Sequence, residues 1–182
     1  MIKINALKTA VAAFVLLVSG SAFAQVSSGA GQDVTLNATL QETLTVSLDQ
    51  TAVNFALTSG SATNAGDVPV VATTSWILGP GRTDVQLYAY FDDPTSALAL
   101  GTAKIASTAV SASVGGVSAG AFTNVVPFGT GISIFDQAIT DANRTSSKSS
   151  SVTLNIDLST GYAQLPAGVY TGMLHFQAQA TT

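Results

Sequence analysis

The segment Val34–Leu48 alternates apolar and polar residues almost without interruption. A two-residue repeat is typical of a strand with one buried face, because successive side chains point to opposite faces of a sheet. Only Glu42 stands where the repeat calls for an apolar residue. The apolar positions of the repeat are Val34, Leu36, Ala38, Leu40, Leu44, Val46 and Leu48. The pattern therefore predicts an extended, half-buried β segment just inside the N-terminal region.

This segment is too long for one ordinary strand. At roughly 3.3 Å per residue it would span about 50 Å, whereas a typical strand spans under about 20 Å. A buried, unpaired carboxylate is costly, so we expect the chain to bend or leave the domain at Glu42, with this side chain in solvent. Two arrangements remain open. Either the segment switches sheets within one sandwich, or its first half leaves the domain and completes a neighbouring molecule.

Residues 1–24 have the pattern of a secretory signal peptide. Lys3 and Lys8 flank the start of an apolar stretch, and Ala22–Ala24 forms an A-x-A cleavage site. The apolar stretch is far short of the roughly 20 residues that a membrane span needs, and no later segment approaches that length. We therefore expect no membrane span and a secreted protein, located in the periplasm, at the cell surface or in an extracellular filament. The chain has no cysteine, so the core alone must hold the fold.

Charged residues make up 9% of the chain, where about 25% is usual. After the signal, the basic residues are Arg82, Lys104, Arg144 and Lys148, against ten acidic residues. No basic stripe is available to neutralise phosphates, which argues against nucleic acid as a partner. The surface must be covered mainly by uncharged polar side chains, so electrostatic repulsion between copies is weak.

Further two-residue repeats bounded by turn residues, without a helical period after the signal, predict an all-β sandwich. We assign residues 41–182 to a single β-sandwich domain and residues 25–40 to an N-terminal extension. Val68–Leu78 and Val85–Phe91 are predicted to pair as a central hairpin across a turn-rich connector. Val152–Leu158 and the final strand are predicted to form a terminal meander.

Two shorter segments complete this prediction. Val53, Phe55 and Leu57 have the spacing of a second strand, whereas the polar segment Asp141–Ser151, with its serine run, is predicted to be an exposed loop.

The aromatic residues of the central strands allow two interpretations. Trp76 is predicted to fill the core between the sheets, as a buried tryptophan does in immunoglobulin-like sandwiches. Tyr88 and Tyr90 fall on the polar side of their strand. The alternative is that Trp76, Tyr88 and Tyr90 form an exposed platform for a sugar, which would make the protein a monomeric carbohydrate-binding or adhesion module.

Both ends of the chain resemble secreted spore-coat-U and pilin-like domains. The residues that carry the resemblance are Thr39–Ser47 (TLQETLTVS), Val53–Phe55 (VNF) and Leu165–Gly172 (LPAGVYTG), the last followed by an alternating strand. The resemblance implies an immunoglobulin-like sandwich and self-association into a polymer, with a periplasmic chaperone as a further partner. Subunits of this kind join when the N-terminal strand of one copy fills a groove in the next.

The resemblance also assigns roles to residues. The donor strand would present the apolar side chains Val34, Leu36, Ala38 and Leu40. The edge of the acceptor groove would be the last strand, through Leu174, Phe176, Ala178 and Ala180. The implied function is a structural subunit of a surface filament or coat.

The sequence offers little chemistry for an enzyme or a cofactor. His175 is the only histidine and lies on the polar side of the last strand, which argues against a Ser-His-Asp relay. With one histidine and no cysteine, a tetrahedral zinc site lacks ligands. Asp92 and Asp93, joined by Asp141, are a candidate calcium site, although we prefer the simpler interpretation of a turn that ends a strand before Pro94. We expect no enzymatic activity and no cofactor.

Overall fold

The computed structural model describes residues 34–123 and 131–182. The chain divides into two compact units, Met1–Thr39 and Leu40–Thr182. The predicted signal peptide and residues 25–33 of the extension lie outside the described residues. In the first unit, residues 34–39 form no strand, and the side chains of Val34 and Leu36 are 80% and 88% exposed.

The regular secondary structure in the described part of the second unit consists of strands and one turn of 3₁₀ helix at Ser107–Ala109. The strands are β1 (Thr43–Leu48), β2 (Asn64–Ala65), β3 (Val70–Ile77), β4 (Asp84–Tyr90), β5 (Leu98–Leu100), β6 (Ala103–Ile105), β7 (Val110–Val114), β8 (Val117–Ala121), β9 (Ile132–Ala138), β10 (Thr145–Ile156) and β11 (His175–Thr181). Over the described ranges, no helix is long and apolar enough to cross a bilayer.

The strands form antiparallel sheets. The larger sheet has the order β1, β3, β10, β7, β8, with β2 attached to β10. The smaller sheet has the order β11, β4, β9, and β5 pairs with β6 in a separate ribbon. The prediction of an all-β fold is confirmed.

One hydrophobic core joins the two main sheets. Along β3 and β4, buried residues alternate with half-buried ones at every position, as expected for strands with one face toward the core. The core contains Trp76 of β3, Leu87 of β4 and Leu154 of β10, among other buried residues. The predicted inward face of Val85–Phe91 is confirmed, since its alternate residues are all buried.

The predicted central hairpin is wrong. β3 pairs with β1 and β10, whereas β4 pairs with β9 and β11, so the two strands lie in different sheets. The connector at residues 79–84 carries the chain from one sheet to the other. The predicted terminal meander is wrong for the same reason, because β10 and β11 also belong to different sheets. A two-residue repeat identifies the buried face of a strand but not its neighbour.

The serine run is a strand and not the predicted loop. Its residues form the first half of β10 and pair along their length with β3, with Ser147 opposite Ser75 and Ser149 opposite Thr73. The hydroxyls of Thr73 and Ser149 hydrogen-bond across the strands at 2.8 Å. Backbone pairing with a well-anchored neighbour therefore overrides the turn-like composition of this segment.

The predicted second strand at Val53–Leu57 is also absent. Phe55 makes only an isolated bridge to Gly66, and the backbone N–H and side-chain amide of Asn54 both donate to the Asp67 carboxylate at 2.9 Å. The segment keeps Val53, Phe55 and Leu57 half-buried without joining a ladder. The alternation was a correct indicator of burial but not of strand pairing.

The long alternating segment forms a strand only from Thr43 onward, and residues 34–42 are not in a strand. The alternative in which this segment switches sheets is therefore not found in the described residues. Glu42, directly before β1, is exposed as predicted.

Thr74 is completely buried on the inward face of β3, and its hydroxyl has no hydrogen-bond partner among the described residues. We expect Thr74→Val to raise the free energy of unfolding by about 1 kcal/mol, because the substitution keeps the shape and removes an unsatisfied polar group. Urea denaturation of the two proteins checks this. Thr73→Val is the matched control and should not stabilise, because Thr73 faces outward and its hydroxyl bonds to Ser149. Equal stabilisation by both substitutions would contradict the explanation.

Candidate functional site

Two strands at the same side of the sandwich leave an edge unpaired within the described residues. β1 pairs only with β3, and β11 pairs only with β4. An unpaired edge presents a row of backbone N–H and C=O groups that can accept another strand. The structure thus places two free edges, one from each sheet, at this side of the molecule.

The core is incompletely covered at these edges. On the central strands β3 and β4, inward residues such as Ala72 and Leu87 are fully buried. On the edge strands, the equivalent residues Leu44 and Val46 of β1 and Phe176 of β11 pack against the core but stay partly exposed. Burial therefore falls from the centre of each sheet toward β1 and β11.

A groove of about 640 Å³ opens where these edges end. One wall is formed by Leu48 at the end of β1 with residues 50–55 and Leu57, and the other by residues 168–174 with Phe176 at the start of β11. The floor consists of core residues, among them Val70, Phe91 and Leu154. We call this feature the edge groove.

The edge groove is lined without a single charged side chain. Its walls carry apolar side chains at several depths, from the partly buried Phe55 and Leu174 to Val169 and Met173, which are exposed at the rim. A groove without charged lining residues, with apolar side chains beside uncharged polar groups, suits a segment of polypeptide better than a charged metabolite.

The second wall of the edge groove is held in place by backbone contacts. Ala99 and Thr171 exchange two backbone hydrogen bonds at 2.9 and 3.0 Å, and the Tyr170 hydroxyl donates to the Pro166 carbonyl at 2.9 Å. Gly172 passes so close to Ala97 that a Cβ there would overlap the Ala97 carbonyl oxygen. These contacts within the chain fix the position of the second wall.

The acceptor residues predicted from the resemblance fall into two groups. Leu174 and Phe176 line the edge groove, whereas Ala178 and Ala180 do not line it and are half-buried further along β11. The sequence reasoning missed most of the groove, including residues 168–173 and Leu98. The alternation of Val53, Phe55 and Leu57 was the available signal for the first wall.

The predicted donor residues all lie in the described part of the chain. Val34, Leu36 and Ala38 are exposed in the first unit, and Leu40 is 78% exposed at the start of the second. A short segment with three large apolar residues in solvent is unfavourable unless it is covered by a partner.

Glu42 ties the start of β1 to the opposite sheet. Its carboxylate accepts the backbone N–H of Gly79 at 2.6 Å and pairs with the Arg82 guanidinium at 3.0 Å, and Arg82 also donates to the Ala180 carbonyl at 3.4 Å. A Cβ at Gly79 would lie only 2.6 Å from the Glu42 oxygen, so a larger residue here would displace the carboxylate from this position. We call Glu42, Gly79, Arg82 and Ala180 the edge latch, because they join β1 and β11.

The connector that carries this latch is itself anchored. The Arg144 guanidinium donates to the Gly79 carbonyl at 2.7 Å and pairs with Asp141 at 3.0 Å. The hydrogen bonds and charge of Arg82, together with the Gly79 N–H, hold the pKa of Glu42 below its ordinary value. Glu42 correspondingly raises the pKa of Arg82.

The candidate sugar platform is not assembled as predicted. Trp76 is only 3% exposed, and its indole N–H donates to the Asn143 carbonyl at 2.9 Å. Its prediction as a core residue is confirmed, and its role in a platform is wrong. Tyr88 and Tyr90 lie half-buried on the outer face of β4, where the Tyr90 ring stacks on His175 with centroids 5.2 Å apart.

The acidic side chains in the turn after β4 form ion pairs and hydrogen bonds with nearby residues. Asp92 pairs with His175 at 2.9 Å, and Asp93 accepts hydrogen bonds from the backbone N–H and hydroxyl of Thr95. Asp141 pairs with Arg144 instead of joining them. Among the described residues, no group of three or more potential metal ligands is found, so the candidate calcium site is not assembled there.

Comparison with known proteins does not assign the chain to a family. No family model matches it, and no curated protein matches it.

The lowered pKa of Glu42 predicts a pH-dependent contribution to stability. A carboxylate whose pKa is lower in the folded than in the unfolded state stabilises the fold above its ordinary pKa of 4.5, and this contribution is lost as the pH falls through the folded-state pKa. We therefore expect the melting temperature of the wild type to exceed that of Glu42→Gln near neutral pH, with the difference shrinking as the pH falls below the ordinary pKa of 4.5. Thermal melts of both proteins across this range check the sign. A difference that grows on acidification would contradict it.

The position of Trp76 predicts its spectroscopic behaviour. Because Trp76 is the only tryptophan and is buried, iodide should quench its fluorescence weakly in the folded protein and strongly after unfolding. Soluble sugars should leave the emission unchanged. Strong quenching in the native state would show that the indole is exposed to solvent. That result would contradict its burial in the core and support the sugar-platform hypothesis.

Proposed function

We propose that the protein is a secreted structural subunit that assembles by strand donation into a surface filament or coat. In this assembly, residues Val34–Leu40 of one copy fill the edge groove of a second copy. The observation that carries the proposal is the edge groove, which has no charged lining residue and opens onto the core where the free edges of β1 and β11 end.

The segment and the groove match in chemistry. Residues 34–40 carry no charge, and neither do the residues that line the groove. At about 3.3 Å per residue the extended segment would be about 23 Å long, and its apolar side chains would all face one way. Added to a free edge, it would gain main-chain hydrogen bonds while Val34, Leu36 and Leu40 leave solvent.

The strand order supports an immunoglobulin-like interpretation of this proposal. The order β1, β3, β10, β7 in one sheet and the pair β4 and β11 in the other correspond to strands A, B, E, D and C, F of that fold. The seventh strand, G, would lie beside β11, and no strand in the described ranges occupies that place. A donated strand would supply it. β9, which pairs with β4 but follows β7 in the chain, departs from this scheme.

The proposal extends to location and partners. A subunit with an open groove and an exposed apolar extension needs protection from premature association after export. A periplasmic chaperone that covers the groove would provide it, and release would then deliver the subunit to a surface polymer.

A test of strand donation uses two charged substitutions in the mature protein. Leu36→Asp places a carboxylate on the apolar side of the extension, whereas Asn37→Asp places the same charge on the other side. We expect Leu36→Asp to abolish polymers and Asn37→Asp to leave them nearly unchanged, because a buried unpaired carboxylate is strongly unfavourable. Electron microscopy and sedimentation of the purified proteins measure the outcome.

Removal of the extension provides the complementary test. Deletion of residues 25–40 should give a folded monomer that binds a synthetic Val34–Leu40 peptide, and the same peptide with Leu36→Asp should not bind. Polymers that persist after the deletion would refute strand donation by this segment. Failure of the peptide to bind a folded deletion variant would refute the groove as its acceptor.

A further inference from the structure

The first wall of the edge groove has no sheet ladder to hold it. Residues 50–55 and Leu57 line the groove, yet none of them belongs to a strand. Two residues that do not line the groove, Gly66 and Asp67, contact this wall from outside. We call Gly66 and Asp67 the wall anchor.

Asp67 binds both backbone polar groups of Asn54. Its carboxylate accepts the backbone N–H and the side-chain amide of Asn54, each at 2.9 Å, and its own backbone N–H donates to the Asn54 carbonyl at 2.9 Å. The side-chain and backbone hydrogen bonds from Asn54 hold the pKa of Asp67 below its ordinary value, so the carboxylate is ionised near neutral pH. Asn54 lies between Val53 and Phe55, so these bonds fix the wall where two apolar side chains meet the groove.

Gly66 packs against the same two side chains and connects them to the core. A Cβ at Gly66 would lie 2.6 Å from Cγ1 of Val53 and 3.4 Å from Cε1 of Phe55, so a side chain here would displace Val53. The backbone N–H of Gly66 donates to the Leu154 carbonyl at 2.9 Å, and Leu154 lies in the floor of the groove. The wall anchor thus joins the first wall to β10.

The other hydrogen bonds of this segment lie at its two ends. Asp49 exchanges bonds with Val71 at 2.6 and 3.1 Å, and the backbone N–H of Thr58 donates to the Asn64 side chain at 2.7 Å. Among the described residues, the hydrogen bonds of residues 50–57 are those to the wall anchor. Loss of the anchor would therefore release the middle of the wall while its ends stay attached.

We propose, resting on the proposed function, that the wall anchor makes the edge groove competent to receive the extension of a second copy. Gly66 and Asp67 are positioning residues. They hold Val53 and Phe55 where the apolar side chains of the guest segment would pack, without lining the groove themselves. The acceptor side of assembly then depends on two residues that lie outside both the groove and the extension.

The first pair of variants removes a carboxylate from the full mature chain. Asp67→Ala takes away both acceptors of Asn54. Its matched control is Asp157→Ala, because the Asp157 carboxylate accepts the backbone N–H and hydroxyl of Ser159 away from the groove. If Asp67→Ala does not fold, Asp67→Asn, which keeps one acceptor, takes its place.

The second pair of variants adds a methyl group. Gly66→Ala places it against Val53, whereas a Cβ at Gly81 meets nothing within 4 Å, so Gly81→Ala is the control. Trp76 fluorescence and urea denaturation first establish that each variant is folded. The polymer fraction is then measured by sedimentation at equal concentrations.

We expect Asp67→Ala and Gly66→Ala to lose polymer several-fold, and both controls to assemble like the wild type. The double variant Asn54→Asp with Asp67→Asn exchanges donor and acceptor between the two side chains and should recover assembly. Folded anchor variants that polymerise like the wild type would overturn the proposal. So would a double variant that stays as defective as Asp67→Ala.

A mixing experiment assigns the defect to the acceptor side. Leu36→Asp damages the extension and leaves the groove intact, whereas Asp67→Ala damages the groove and leaves the extension intact. An equal mixture should form dimers that cannot grow, because the extension of the Asp67→Ala chain fills the groove of the Leu36→Asp chain. If the wild type polymerises but the mixture gives no dimers, the defect is not confined to the groove and the proposal fails.

Cleavage of the monomer separates this inference from the proposed function. Chymotrypsin cleaves after Phe55 in the first wall, and we expect Asp67→Ala to be cut there several-fold faster than the wild type and Asp157→Ala. If the wild type forms no polymer, strand donation fails, yet equal cleavage of all three proteins would still overturn the role of the anchor. If the wild type polymerises and the folded anchor variants match it, strand donation stands and the anchor proposal alone fails.

Discussion

The core of this protein is covered at its centre and left unfinished along one side. The inward residues of β3 and β4 are shielded by strands on both sides, so their apolar surface is removed from water and stabilises the fold. β1 and β11 each lack a second neighbouring strand in the described residues, and their inward side chains remain partly exposed to solvent. The groove, its apolar lining and the proposed assembly all follow from this asymmetry.

The walls of the groove show how a free edge can be stable without being paired. The backbone N–H of Asn54 donates to the Asp67 carboxylate, and Thr171 exchanges two backbone hydrogen bonds with Ala99. Hydrogen bonds of this kind satisfy backbone groups outside a sheet ladder.

The chain has few charged residues, and some of its ion pairs lie where separate segments of the fold meet. Glu42 and Arg82 link the two free edges, and Arg144 anchors the connector that carries Arg82. Glu42 is exposed and the two arginines are half-buried at the surface, so the pairs contribute little to overall stability. Their structural effect is to connect the residue directly before β1 to the connector and to β11.

Much of the burial pattern could be predicted from the sequence, and much of the pairing could not. Trp76 and the inward side of Val85–Phe91 were identified correctly, because a two-residue period reports which face of a strand meets the core. The same period is shared by β3 and β4, so it wrongly suggested that they pair. The serine run was taken for a loop because its composition resembles a turn, whereas its pairing with β3 decides its conformation.

The candidate site was likewise predicted only in part from the sequence. Leu174 and Phe176 were expected at the acceptor edge and line the groove, but most of its walls come from irregular segments that carry no strand pattern. Nothing local marks Gly168–Met173 as a wall, since its position depends on contacts with Ala97 and Ala99.

The sequence by itself determined the all-β class, the inward face of the central strands and the interruption at Glu42, because each is encoded by neighbouring residues along the chain. Only the tertiary structure decided which edges stay free, where the groove opens and that Arg82 and Gly79 hold Glu42. The physical reason is that side-chain alternation specifies a face, whereas the choice of a neighbouring strand depends on packing between segments that are distant in sequence.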